Sequence, residues 1–341
     1  MTATSKTADP VTSNEPLVRV RGLQVVFPPR RGRGTVQAVR DVSFDIEAGR
    51  TLGLVGESGS GKTTKGRAVL QLQQAAGGSV RLLGRELTSL SHGALRGMRR
   101  HMQFVLQNPY SSLHPRMTAG QILAEPLKVH RSVPRRDIPE RIDELMLLVR
   151  LDPTLAARYP HELSGGQRQR IVIARALAVN PDFVVCDEPV SALDVRTQAQ
   201  IVELLRELQD RLRLSYLFIA HDLAVVRALA HRVAVMYRGR IVEMGDAADV
   251  YNQPVHPYTR SLLDSVPIPD PALQRAKLAE PAAEWNVDGQ DGTGGPCALC
   301  ASHAAAGSSA WHEVGPRHGV SCHYWPAQEA SITIRESGHA C

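Results

Sequence analysis

The stretch Gly56-Glu57-Ser58-Gly59-Ser60-Gly61-Lys62-Thr63 has the residue types and spacing most suited to chemistry. It fits the pattern G-x-x-x-x-G-K-[ST], in which glycines let backbone N–H groups converge on an anion. Lys62 is placed to reach the terminal phosphates of a nucleotide and Thr63 to ligate Mg²⁺, while Thr64 continues the phosphate-binding stretch into a helix whose positive end adds to the field. A second chemical group is the adjacent carboxylate pair closing Val184-Val185-Cys186-Asp187-Glu188. There Asp187 can partner the metal and Glu188 can act as a base toward water, although a lone acidic strand end often simply faces solvent. A third is Leu163-Ser164-Gly165-Gly166-Gln167-Arg168, where Ser164 followed by Gln167 fits a capping box. Two glycines, a hydroxyl and a helix N-terminus at that point form a second anion site, separate from the first.

These groups need a scaffold that aims them. Residues 17–27 and 36–46 carry alternating apolar positions around a Pro/Arg/Gly segment, the pattern of antiparallel strands. The run TLGLVG ending at Gly56 reads as a buried strand feeding a glycine turn and a helix, which is half of a nucleotide-binding unit. From about 117 to 180 the pattern is helical, with Ile142, Leu145, Met146 and Val149 at helical spacing, and suggests an insert. Residues 183–187 and 216–220 read as buried strands flanking an amphipathic helix marked by Ile201, Leu204, Leu205, Leu208 and Leu212. Strands alternating with helices imply an α/β fold with a mainly parallel sheet.

The chain has 341 residues, 43% hydrophobic and 22% charged, with a formal net charge of +6. Arginines are scattered, and no basic stripe is interleaved with stacking aromatics, so the charge does not point to nucleic acid. No apolar run reaches the roughly 20 residues that span a bilayer. Residues 1–16 have neither the basic nor the apolar segment of a secretory signal and read as a disordered lead-in, so a cytoplasmic location is expected. One cassette without internal repeats is expected over 17–253, followed by a small appended region over 254–341 joined through a flexible segment.

The sequence LSGGQ, between the phosphate loop and the DEP strand end, makes the whole resemble the ATPase subunits of ABC transporters. The resemblance runs over about 17–265 and implies a P-loop NTPase fold with a mainly parallel core sheet, an antiparallel β subdomain and a helical insert. It also assigns further residues. Gln107 corresponds to the glutamine that senses Mg²⁺ and contacts the membrane subunit, and Ser191-Ala192-Leu193-Asp194 to the D-loop. His221 corresponds to the histidine near the γ-phosphate, and Phe27 to the aromatic that stacks on adenine. Two such cassettes close head to tail around ATP and Mg²⁺, so the resemblance implies that Ser164, Gly165, Gly166 and Gln167 face the partner's nucleotide.

The stretch 107–117, QNPYSSLHPRM, and HPYTR at 256–260 resemble importers of di- and oligopeptides, nickel and related substrates. Asn108 and His114 replace the Asp and Asn common there, and Lys65 stands where an apolar residue is usual. CDEPVSALDV resembles the second of that group's two ATPase subunits, which implies a different ATPase as partner. The resemblance also implies two permease subunits, an extracytoplasmic binding protein and a place on the cytoplasmic face of the membrane. A soluble ABC ATPase acting on DNA or ribosomes would share the motifs, but those types carry a long coiled-coil insert or two cassettes. In the importer group a C-terminal segment with four cysteines can hold an iron–sulfur cluster, and here Cys297, Cys300, Cys322 and Cys341 are the candidates. Cys297 and Cys300 are closer together than that group's first pair and no third cysteine precedes His312, so a cluster, zinc at the CxxC pair and a relic segment without metal are the alternatives.

Overall fold

Alternation of apolar residues builds the first sheet. In β1 (Val18–Phe27) the buried positions Val18, Val20, Leu23 and Val25 face one way, and β2 (Val36–Ile46) contributes Val39, Val42, Phe44 and Ile46. With β4 (Gly77–Leu82) and β5 (Arg85–Glu86) they form a four-stranded antiparallel sheet, ordered β2-β1-β4-β5. Its apolar face shares one core cluster with Leu52 and Leu54 of β3 (Thr51–Val55) and with Ala68 and Val69 of α1 (Lys62–Val69). This computed structural model describes residues 15–28, 35–57, 59–265 and 311–321. Ser58, most of the lead-in 1–16 and the cysteines Cys297, Cys300, Cys322 and Cys341 lie outside the described residues.

The second sheet is the larger. It comprises β3, β6 (Met102–Val105), β7 (Phe183–Asp187), β8 (Ser215–Ile219), β9 (Arg232–Tyr237), β10 (Arg240–Asp246), β11 (Trp311–Gly315) and β12 (His318–Ser321). The order is β11-β12-β10-β9-β3-β8-β7-β6. The five strands from β6 to β9 run parallel, and β10, β12 and β11 extend the sheet antiparallel. Every residue of β3, β7 and β8 is buried, as strands covered on both faces must be, which is why these stretches read as unbroken apolar runs.

Between β3 and β7 lie α2 (His92–Met98), the short α3 (Pro109–Ser112), α4 (Ala119–His130), α5 (Ile138–Leu148) and α6 (Gly165–Leu177). Helices α4 and α5 pack on α6 through Ile122, Leu123, Leu127, Leu145 and Met146, forming the expected insert. A reciprocal capping box between Thr118 and Gln121 starts α4. The rest of the fold holds α7 (Val195–Leu212), α8 (Leu223–Arg227), α9 (Ala247–Asn252) and α10 (Pro257–Asp264). Among the described residues no helix is long and apolar enough to cross a membrane.

The change in composition after Pro254 does not coincide with a break in packing. His256, Pro257, Tyr258 and Thr259 are buried, and β12 pairs with β10 through Glu243↔Val320 and Met244↔Gly319. An open strand edge with unpaired N–H and C=O groups is costly to leave bare, and this hairpin covers the edge of β10.

Candidate nucleotide site

Topology alone brings the chemical groups together. Adjacent parallel strands in the order β6-β7-β8-β3 release Gln107, Glu188, His221 and the phosphate loop at their carboxyl ends, the edge where open α/β sheets bind ligands. Three glycines of the loop, Gly56, Gly59 and Gly61, hold φ of 149°, 85° and 95°, conformations closed to most side chains. Gly61 caps α1 without any side-chain hydrogen bond, and the first turn of α1 has no acidic residue. The helix start therefore offers N–H groups to an anion. Lys62, 4% exposed, turns back to donate from Nζ to Gly56 O at 2.6 Å and Glu57 O at 2.7 Å. Burial holds its pKa below the usual lysine value, against the opposing pull of Glu188, Asp187 and Glu57.

Thr63 Oγ1 donates to Asp187 Oδ1 at 3.0 Å, joining the loop to the end of β7. Burial, reinforced by neighbouring Glu188, raises the pKa of Asp187. A hydroxyl and a buried carboxylate with a second carboxylate beside them form a hard-oxygen set that suits Mg²⁺. Glu188 adopts φ 46°, a left-handed conformation that is strained for a residue with a side chain. Its N–H is held by Ile219 O at 2.9 Å, and Ser191 donates to its carbonyl from both N and Oγ. Gln107 Nε2 donates to Glu188 Oε2 at 2.8 Å, and His221 Nδ1 lies 3.4 Å from the same oxygen. Together with Asn108, Ser191 and Ala192 these residues line an open depression. A carboxylate held there by two polar neighbours can take a proton from a water molecule.

The signature residues sit elsewhere. Ser164 caps α6 in a full capping box, accepting from Gln167 N at 3.3 Å while Gln167 Oε1 accepts from Ser164 N at 2.9 Å. Gly165 and Gly166 pack against Leu193 and Thr197, where a Cβ on Gly166 would come within 2.7 Å of the Thr197 methyl. Asp194 caps α7 by accepting from both N and Oγ1 of Thr197, bonds that hold its carboxyl below the usual range. Among the described residues none of these contacts reaches the phosphate loop. Phe27 ends β1, half-buried against the antiparallel sheet's core.

Residues 39–191 match the ABC transporter family and residues 242–292 match the oligopeptide/dipeptide transporter C-terminal region. A putative peptide import ATP-binding protein of Brucella abortus (strain 2308) is 52% identical over 272 residues, covering 78% of this chain and 81% of that one. The chain belongs to the ABC transporter ATP-binding family. The glutathione import ATP-binding protein GsiA of Escherichia coli (strain K12) is likewise 52% identical over 270 residues, and the chain spans 43% of its length. A solved dimeric ATP-binding cassette bound to ADP and Pi superposes with a TM-score of 0.61 at 28% identity, over 67% of this chain and 98% of that one. This ABC cassette thus has the P-loop NTPase fold, with the antiparallel subdomain and helical insert.

Because the cassette's loop glycines are geometrically required, Gly61→Ala should be damaging. A Cβ there would stand 2.2 Å from Ala38 O at φ 95°, so we expect a loss of about 1–3 kcal/mol in stability, measured by urea denaturation. Sequence reasoning did not single out Glu243 and His318, and it noted Tyr258 only as part of HPYTR, without a role. The signal for Glu243 was present: a carboxylate between Ile241, Val242 and Met244 in an apolar strand has to be satisfied inside.

Proposed function

We propose that this chain is an ATP-hydrolysing subunit that powers an importer for peptides or a related substrate such as nickel or a metallophore. One observation carries the reading: Lys62, the Thr63–Asp187 pair and the Gln107–Glu188–His221 group meet at one edge of the sheet, while Ser164–Gln167 caps a helix apart from them. A single chain therefore supplies one set of phosphate-binding and hydrolytic groups and one signature without a nucleotide of its own. Both are used only if two cassettes face each other. The relatives' names, which specify peptide and glutathione import, support the substrate class.

In this reading the amides of Gly56, Glu57, Ser58, Gly59, Ser60 and Gly61, with Thr63 and Thr64, hold the phosphates, and Phe27 stacks on the base. Lys62 leaves its two carbonyl partners for the stronger charge-assisted contact with phosphate. Thr63, Asp187 and Gln107 would hold Mg²⁺, which when bound would neutralise charge on the phosphates. Glu188 accepts the proton of the attacking water, oriented by Gln107 and His221. Ser164, Gly165, Gly166 and Gln167 serve the partner's ATP, and Asp194 sits at that interface. Cys297, Cys300, Cys322 and Cys341 take no part in these steps.

The partners are a second ABC ATPase, different from this chain, two membrane permeases and an extracytoplasmic binding protein, with the chain peripheral on the cytoplasmic face. The test compares ATP turnover by the purified chain alone with turnover in a complex reconstituted with the neighbouring cassette and permeases. We expect little turnover alone and at least about tenfold more in the complex, since positioning groups from a second chain are supplied only there. Full turnover by a monomer would refute the two-chain site.

A further inference from the structure

The loop that holds the phosphates is itself held from an unexpected direction. The peptide group between Gly56 and Glu57 is gripped at both ends: its carbonyl accepts from Lys62 Nζ at 2.6 Å, and its N–H donates to Tyr258 Oη at 2.9 Å. Gly56 at φ 149° is the hinge on which this peptide would turn. Tyr258 is 1% exposed, its ring tilted against Tyr237 with centroids 4.6 Å apart. Burial pushes its hydroxyl up to about 12, so the oxygen acts as a neutral hydroxyl at any physiological pH.

What positions Tyr258 can be followed further. His256 caps α10, accepting from Tyr258 N at 3.0 Å on Nδ1. The N–H of His256 donates to Glu243 Oε2 at 2.9 Å, and that of Val255 to Glu243 Oε1 at 2.8 Å. Glu243 is fully buried on β10, and His318 Nε2, from β12, donates to its Oε1 at 2.9 Å. Buried carboxylates persist where hydrogen-bond donors surround them, and each donor here comes from the segments after β10. One unbroken chain of contacts, His318–Glu243–His256–Tyr258–Glu57, runs from the C-terminal hairpin to the phosphate loop.

We propose that Tyr258 is a positioning residue for the phosphate loop, and that the hairpin of β11 and β12 sets it in place through Glu243. Fixing the 56–57 peptide parks Lys62 and keeps the loop in its anion-binding shape before nucleotide arrives, so this segment tunes affinity for the nucleotide and leaves the hydrolytic step alone. The inference rests on residues 56–63 being the nucleotide site.

Tyr258→Phe keeps the ring and its contact with Tyr237 and deletes only the hydroxyl. Binding of a fluorescent ATP analogue to the full chain should weaken about fivefold, the worth of one neutral hydrogen bond. In the reconstituted transporter the KM for ATP should rise by a similar factor with kcat unchanged, the sign of lost uniform binding. His318→Ala should move affinity in the same direction, and His318→Gln, which restores a donor to Glu243, should recover it; thermal melting without nucleotide checks that each variant is folded. Wild-type affinity in folded Tyr258→Phe or His318→Ala, or a fall in kcat without a change in KM, would overturn the proposal. Failure of the wild-type chain to bind the analogue would instead refute the nucleotide-site reading itself.

Discussion

ATP turnover by the assembled transporter should fall by about 10²–10⁴-fold when Glu188 is replaced by glutamine, the range set by loss of a general base. Nucleotide binding should persist. The amide is isosteric with the carboxylate and can still meet Gln107 and His221 across 2.8 Å and 3.4 Å, so the strained turn at φ 46° keeps its surroundings. What is lost is the ability to take a proton from water. The contrast with Asp187 sharpens the test. Asp187 is tied to Thr63 and in the proposed site would help hold Mg²⁺, so Asp187→Asn should weaken Mg²⁺-dependent binding first, whereas Glu188→Gln should leave the analogue's affinity within about twofold of wild type, since no phosphate contact is removed. Equal turnover by Glu188→Gln and wild type would remove Glu188 from the chemistry.

Why some of this could be read from the chain and some could not follows from distance along it. The glycine loop, Ser164 with Gln167 and the Asp187-Glu188 strand end are local patterns, each written within about eight residues of sequence. The convergence of the glycine loop with the Asp187-Glu188 strand end follows from strand order, because consecutive strand–helix units place loops on one edge, whereas Ser164 and Gln167 stay at the start of α6. Asp194 was legible as part of a D-loop by resemblance, yet its hydrogen bonds to Thr197 show the local reason for its type: it starts α7. The bond from Glu57 to Tyr258 crosses 201 positions, and no periodicity reports such a pairing. Strand β12 is four residues long and contains a glycine, too short for alternation to register, and its place is decided by the free edge of β10. The appended region expected over 254–341 was read from Pro-, Ala- and Gly-rich composition; in its first residues His256 and Pro257 cap and start a helix whose first turn is buried.

Lys65→Leu should stabilise the cassette by about 2–4 kcal/mol, raising the melting temperature by roughly 5–10 °C. Lys65 is fully buried on α1, and among the described residues its Nζ has no hydrogen-bond partner, an unusual state for an amine. Desolvation alone lowers its pKa to about 7. The sign of the pH dependence then follows. Between about pH 7 and the unfolded value near 10.5 the unfolded chain binds a proton that the folded chain does not, so wild-type stability rises with pH in this window. Below about pH 7 both states carry the proton and the whole cost of burial remains. The advantage of Lys65→Leu should therefore be greatest at neutral pH and below, and shrink as pH approaches 10. Melting curves of both proteins from pH 6.5 to 10 measure this directly. A constant difference across that range would mean that Lys65 is charged and paired in the folded protein, and a destabilised leucine variant would mean that the amine has a partner worth more than its desolvation. Since Thr63 and Lys62 lie on the same helix, a gain in stability without a change in ATP affinity would also separate the packing of α1 from the binding work of its first turn.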